Sequence, residues 1–136
     1  MSDGIRWLTQ RMVLSFHGET LQRHGGSPGL RDEALLESAL ARPHNRAAHK
    51  RAADDTDATV FDLTAEYCAG IIGNHPFVDG NKCTAFAATY VFLSINGLDI
   101  TASDEKTQEF VLGLYNTSSI TFDNLRAWLG ENTKVL

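Results

Sequence analysis

The chain has 136 residues, 43% of them hydrophobic and 21% charged, a length that fits one domain spanning 1–136 and burying a core without help from disulfides or metals. Its formal net charge of −5 argues against general nucleic-acid binding, which depends on clustered Lys and Arg, although a nucleotide can still settle on a local positive spot. The start MSDGIRWLTQ lacks the basic-then-apolar order of a secretory signal, and the uncharged run from Cys83 to Leu98 is shorter than a bilayer span.

Cys68 and Cys83 suggest neither a disulfide framework nor a metal-ligand spacing, so a cytoplasmic protein without a membrane anchor is expected. Thr9 is a fitting N-cap for a first helix. Met12, Val13, Phe16, Thr20 and Leu21 recur at helical spacing behind it, and Gly25 and Gly26 stop it, giving a helix from about Thr9 to His24. SPGL reads as a turn around Pro28 and Gly29. Leu35, Leu36, Ser38, Ala39 and Leu40 then predict a short helix halted before Pro43, because the residue preceding proline is biased away from helix.

The stretch from Arg46 to Asp57 carries Arg46, Lys50 and Arg51 followed by Asp54, Asp55 and Asp57, and reads as a solvated face, with a partner-binding patch as the alternative. Val60, Leu63, Thr64, Tyr67 and Ile71 mark an amphipathic helix ending near Gly73 and Asn74. A helix from Gly80 or Asn81 to Asn96 and Gly97 is apolar around most of its circumference, which places it at the centre of the fold. Thr101 or Ser103 can cap a helix carrying Phe110, Val111 and Leu114, and Thr121 one carrying Leu125, Trp128 and Leu129. No useful length of strand-like alternation occurs, so an all-α bundle of about six or seven helices is expected.

Residues 74 to 86, NHPFVDGNKCTAF, join the two middle helices. A helix N-terminus offers unpaired N–H groups and partial positive charge to an anion. Gly80 permits close approach of the backbone, and Lys82 adds a full charge. Asp79 beside it is the lone carboxylate that Mg²⁺ takes when its other ligands are water and phosphate oxygens. His75 has the near-neutral chemistry of a general base, and Phe77 is placed to plug the loop into the core. Plainer readings stand beside these: Asp79-Gly80 as a turn, Asp79 or Asn81 as a cap, and Lys82 as a solvated charge at the helix end that disfavours cations. His17, His24, His44 and His49 read as structural or exposed.

The run HPFVDGNK resembles the Fic/Doc signature HxFx(D/E)GN(G/K)R, matched at His75, Phe77, Asp79, Gly80, Asn81 and Lys82. The likeness extends to WLTQ, to HGGSPGLRDEALLESALARP and to SINGL, and is similar to the Doc branch, the toxins of death-on-curing toxin–antitoxin pairs. The resemblance implies an all-α fold, with His75 as base, Asp79 as Mg²⁺ ligand, Gly80, Asn81 and Lys82 as the anion-binding turn, and Phe77 as anchor. Lys82 in place of glycine, and Phe86 where AMP-transferring members carry a second arginine, imply a kinase that moves the γ-phosphate of ATP. By the same resemblance the target is elongation factor Tu and the inhibitor a Phd-like antitoxin, acting in trans because no internal inhibitory Glu helix is evident.

One position departs from the pattern. The family arginine after Lys82 is Cys83, also in the phosphate-binding turn, and a neutral thiol lacks arginine's bidentate, charge-assisted grip. Losing one such contact removes ~1.5–3 kcal/mol of transition-state stabilisation. AMP transfer to a protein side chain, and a catalytically weakened scaffold acting through partner binding, stand as alternatives.

Overall fold

The computed structural model describes residues 4–48 and 56–136, with the side chains of 56–59 left aside. His49 and most of the charged stretch lie outside the described residues.

Thr9 accepts a hydrogen bond from the Met12 N–H at 3.2 Å and opens α1 (Gln10–His24), which ends where Gly25 takes φ 75° and returns its N–H to the Leu21 carbonyl. Asp32 Oδ1 accepts from the Leu35 N–H ahead of α2 (Glu33–Ala48). α3 (Thr56–Asn74) and α4 (Asn81–Ile95) form the middle of the bundle. Ser103 caps α5 (Asp104–Asn116) and Thr121 caps α6 (Phe122–Glu131), each through its hydroxyl oxygen. The described residues thus form six helices, and the fold is all-α. A small antiparallel pair, β1 (Leu98–Ile100) with β2 (Thr133–Val135), places Leu98 opposite Val135. Three-residue strands are too short to show alternation in the sequence.

Two expectations are corrected. α2 does not stop before Pro43 but runs through it, with the proline buried. A proline inside a helix costs about 3 kcal/mol through its missing N–H and steric clash. Contacts on both sides of Pro43 hold the helix in place. Arg42 and Arg46 flank the proline and grip opposite oxygens of Glu66, Nη2 to Oε1 at 2.8 Å and Nε to Oε2 at 2.6 Å. The Arg46 guanidinium also lies 3.8 Å over the Phe122 ring, so it is no solvated charge.

The second correction concerns the centre. α3, and not α4, is the helix enclosed on nearly every side: from Val60 to Ile72 only Phe61 is more than slightly exposed. Asp62 and Glu66 give α3 a polar face in sequence, yet both are buried because Arg126 reaches Asp62 at 2.6 Å while Arg42 and Arg46 reach Glu66. A paired carboxylate can enter an interior from which a lone one is excluded. α4 packs on α3 but leaves Phe86, Ala87, Tyr90 and Val91 half-buried. Tyr67, Phe77 and Phe92 are the bulkiest fully buried side chains, with Tyr67 and Phe92 in ring contact at 4.8 Å. Among the described residues no helix is long and apolar enough to cross a membrane.

Burial pushes the Cys68 thiol up from 9.0 to about 11, partly offset by a hydrogen bond with Thr89, and the Tyr67 hydroxyl up to about 12, partly offset by the Leu8 N–H. A pKa raised by folding contributes stability below its unfolded value and loses it as pH climbs towards the folded one. Stability should therefore fall above pH ~9, with Cys68 contributing a loss of roughly 2–3 kcal/mol by pH ~11. Urea denaturation of wild type and Cys68→Ala across this range checks it: the alanine variant should start less stable but show a shallower alkaline decline.

Candidate functional site

The loop between α3 and α4 begins in an uncommon conformation. His75 has φ 49°, a left-handed geometry for a non-glycine residue, which costs roughly 1–2 kcal/mol unless its surroundings hold it. Arg31 supplies the hold, donating from Nε to the His75 carbonyl at 2.7 Å and from Nη2 to the Asn74 carbonyl at 2.9 Å. The Asn74 side chain in turn donates to the Leu35 carbonyl. The Arg31 and Asp32 N–H groups both donate to the Pro76 carbonyl, and Val78 N–H to that of Gly29. The segment ahead of α2 is thus paired, strand-like, with the loop at Leu30 and Phe77.

Phe77 turns inward and is 1% exposed. Asn81 closes the turn around it: its Oδ1 accepts from the Phe77 N–H and its Nδ2 donates to the Phe77 carbonyl, both at 2.9 Å. These two bonds fix the orientation of the amide, so the second Nδ2 hydrogen faces His75 Nδ1 at 3.3 Å. In that contact Nδ1 accepts, and the neutral imidazole carries its proton on Nε2. The ring is otherwise exposed.

Asp79 is exposed, and its Oδ2 accepts from the Ser27 N–H at 2.8 Å. Gly80 follows at φ 80°, ψ 18° as the residue before α4. The N–H groups of Asn81, Lys82 and Cys83 have no acceptor among the described residues and sit at the positive end of the helix. Lys82 rests its ammonium 4.9 Å from the centre of the Tyr115 ring. Cys83 is a free, half-buried thiol. Lys82 and Cys83 line a groove of about 520 Å³ between α1, α4 and α5, together with Phe16, Arg23, Phe86 and Leu112.

The residues singled out in the sequence therefore share one loop and helix start. His75 and Asp79 are exposed there, while Gly80, Lys82 and Cys83 form the helix mouth. Asn81 differs from expectation. Its backbone N–H belongs to the mouth, but its side chain is committed to holding the loop. His24 lines the groove and His44 stacks on Trp7 at 3.9 Å. Two supports went unread in the sequence, Ser27 and Arg31, while His17, read as structural or exposed, is buried against the loop. Its place between Val13 and Thr20 on the inward face of α1 marks it as the structural case.

No three His, Cys, Asp or Glu side chains converge among the described residues. The donor set suits a hard cation held through Asp79 and otherwise by water and phosphate oxygens. Oδ2 is engaged by Ser27, and Oδ1 has no partner among the described residues.

A sequence model of the Fic/DOC family matches residues 7–93, spanning α1 to most of α4. The chain belongs to the Fic/DOC family. It is 29% identical over 130 residues to "Protein kinase doc" of Escherichia phage P1, covering 93% of this chain and 98% of that protein. It is 34% identical over 106 residues to "Toxin Doc" of Mycolicibacterium smegmatis, covering 77% and 78% respectively. Within this Fic/DOC chain the matched region includes the whole loop together with His17, Ser27 and Arg31.

Two substitutions probe how the loop is held. Phe77→Ala should cost ~3–5 kcal/mol of unfolding free energy, as for other buried aromatics. Arg31→Lys keeps the charge but cannot span two carbonyls, and should cost about 1 kcal/mol, with faster amide hydrogen exchange at His75 and Phe77 as the local readout.

Proposed function

We propose that the chain is a Doc-like toxin that transfers the γ-phosphate of ATP to a hydroxyl of a protein target. The observation that carries this reading is the left-handed Gly80 opening α4, with the free N–H groups of Asn81, Lys82 and Cys83 behind it and His75 and Asp79 on the same loop. The relative named a protein kinase, matched over nearly its whole length, supports it.

In this mechanism the helix mouth and Lys82 hold phosphate oxygens through N–H donors and charge that already point at the site, so little reorganisation accompanies the reaction. Lys82 swings from Tyr115 towards the phosphates, giving up a cation–π contact of about 0.5–1 kcal/mol for a closer charge pair. His75 takes the proton of the attacking hydroxyl on Nε2. That nitrogen must first be unprotonated, so the ring exchanges tautomers and releases Asn81, which its exposure and single long side-chain contact allow. Asp79 would hold Mg²⁺, which when bound neutralises phosphate charge and orients the transferring group. Because the carboxylate is already fixed by Ser27, it needs no large rearrangement.

The target in this reading is a threonine of elongation factor Tu, so that phosphorylation stops translation in the cytoplasm, and a Phd-like antitoxin restrains the toxin in trans. Cys83 places an uncharged side chain at the groove edge where the family carries arginine, and the enzyme is correspondingly slow.

Incubation with elongation factor Tu, Mg²⁺ and either γ- or α-labelled ATP tests the proposal. Label should pass from the γ position alone. Transfer from the α position would establish AMP transfer instead, and no transfer with antitoxin binding intact would leave a binding scaffold. His75→Ala should abolish transfer with little change in melting temperature. Cys83→Arg should raise the rate about ten- to a hundredfold, the worth of one charge-assisted contact.

A further inference from the structure

We infer that His17, on α1 and outside the signature run, is a positioning residue that sets the direction of the Asp79–Gly80 peptide and so shapes the phosphate-binding mouth; this rests on the reading of that mouth given above.

His17 is 6% exposed and meets the loop in three ways. Its Nε2 lies 2.8 Å from the Asp79 carbonyl oxygen. A carbonyl only accepts, so this nitrogen carries the proton. The ring lies flat on Phe77, 3.9 Å between centres and 10° between planes. Its edge also confines Gly80: a Cβ there would meet His17 Cδ2 at 3.5 Å and Thr20 Cγ2 at 3.3 Å.

The bond to the carbonyl matters most. In a trans peptide the N–H points opposite to the C=O. Holding the Asp79 oxygen towards α1 therefore turns the Gly80 N–H away from α1 and keeps carbonyl density from the helix start. Rotation of this one peptide plane would exchange donor for acceptor beside an anion site, and Gly80, at φ 80°, resists such rotation less than any other residue would. No other side chain among the described residues donates to the Asp79 carbonyl. The Phe77 stack keeps the imidazole in the plane from which Nε2 reaches it.

Two variants separate the donor from the packing. His17→Phe keeps the stack without the N–H, and His17→Gln restores an amide donor close to the Nε2 position. ATP with Mg²⁺ is the probe, titrated by calorimetry, and ¹⁵N spectra follow the Gly80 to Cys83 amides and the His17 ring in the free protein. The expected result is an Nε2–H tautomer in wild type, ATP binding weakened roughly five- to tenfold in His17→Phe by loss of one hydrogen bond, and recovery in His17→Gln. Shifts in the free protein should be largest at Gly80 and Asn81. An Nδ1–H tautomer, or a His17→Gln variant no closer to wild type than His17→Phe in these amide shifts, overturns the inference. Wild type that binds no ATP overturns the reading of the mouth instead, and the ring tautomer and amide shifts of the free variants then decide the role of His17 alone. Should His17→Phe unfold, His17→Leu serves as the variant lacking the donor.

Discussion

Burial of Phe77 is the constraint on which the site depends. A loop linking two helices has few contacts of its own, and its backbone polar groups would ordinarily be left to water. Driving one aromatic ring into the core brings the adjacent peptide groups below the surface, where each needs a partner. The Asn81 side chain satisfies both polar groups of Phe77, and residues 29–32 take up those on either side. The His75 and Asp79 side chains stay exposed with Val78, and the first N–H groups of α4 stay without an acceptor among the described residues, on a frame that is largely hydrogen-bonded.

The grouping of these residues was legible because it is nearly contiguous: histidine, buried aromatic, carboxylate, glycine and lysine fall within eight residues at the start of α4. Its supports were not. His17 and Arg31 donate to backbone carbonyls 62 and 44 residues away, and the Ser27 N–H donates to the Asp79 carboxylate 52 residues away, and nothing in local spacing marks partners so distant. Asn81 shows the reverse effect. Its place in the pattern was readable, but an amide that could face a phosphate faces the chain instead.

The fold was legible to a similar degree and for related reasons. Helix caps at Thr9, Ser103 and Thr121 are local chemistry and fall where the sequence puts them. Pro43 and the polar face of α3 misled because tertiary ion pairs outweigh local preference. Glu66 binds an arginine on each side of Pro43, and with Asp62 it turns a face that looks solvated into an internal one. These pairs also join α2 and α6 to α3, leaving α4 the open flank on which the groove forms.

The wide sequence separation of the contacts to His75 and Asp79 has a consequence for folding. The bonds from His17, Ser27 and Arg31 cannot form within a single helix or between neighbouring turns, so they appear only after α1, the segment ahead of α2 and the α3–α4 connection have met in space. Closing such long loops is entropically costly and comes late relative to helix formation. A chain with its helices formed but not yet packed would have helix content without the shaped loop at the start of α4, and that loop geometry would arrive late in folding.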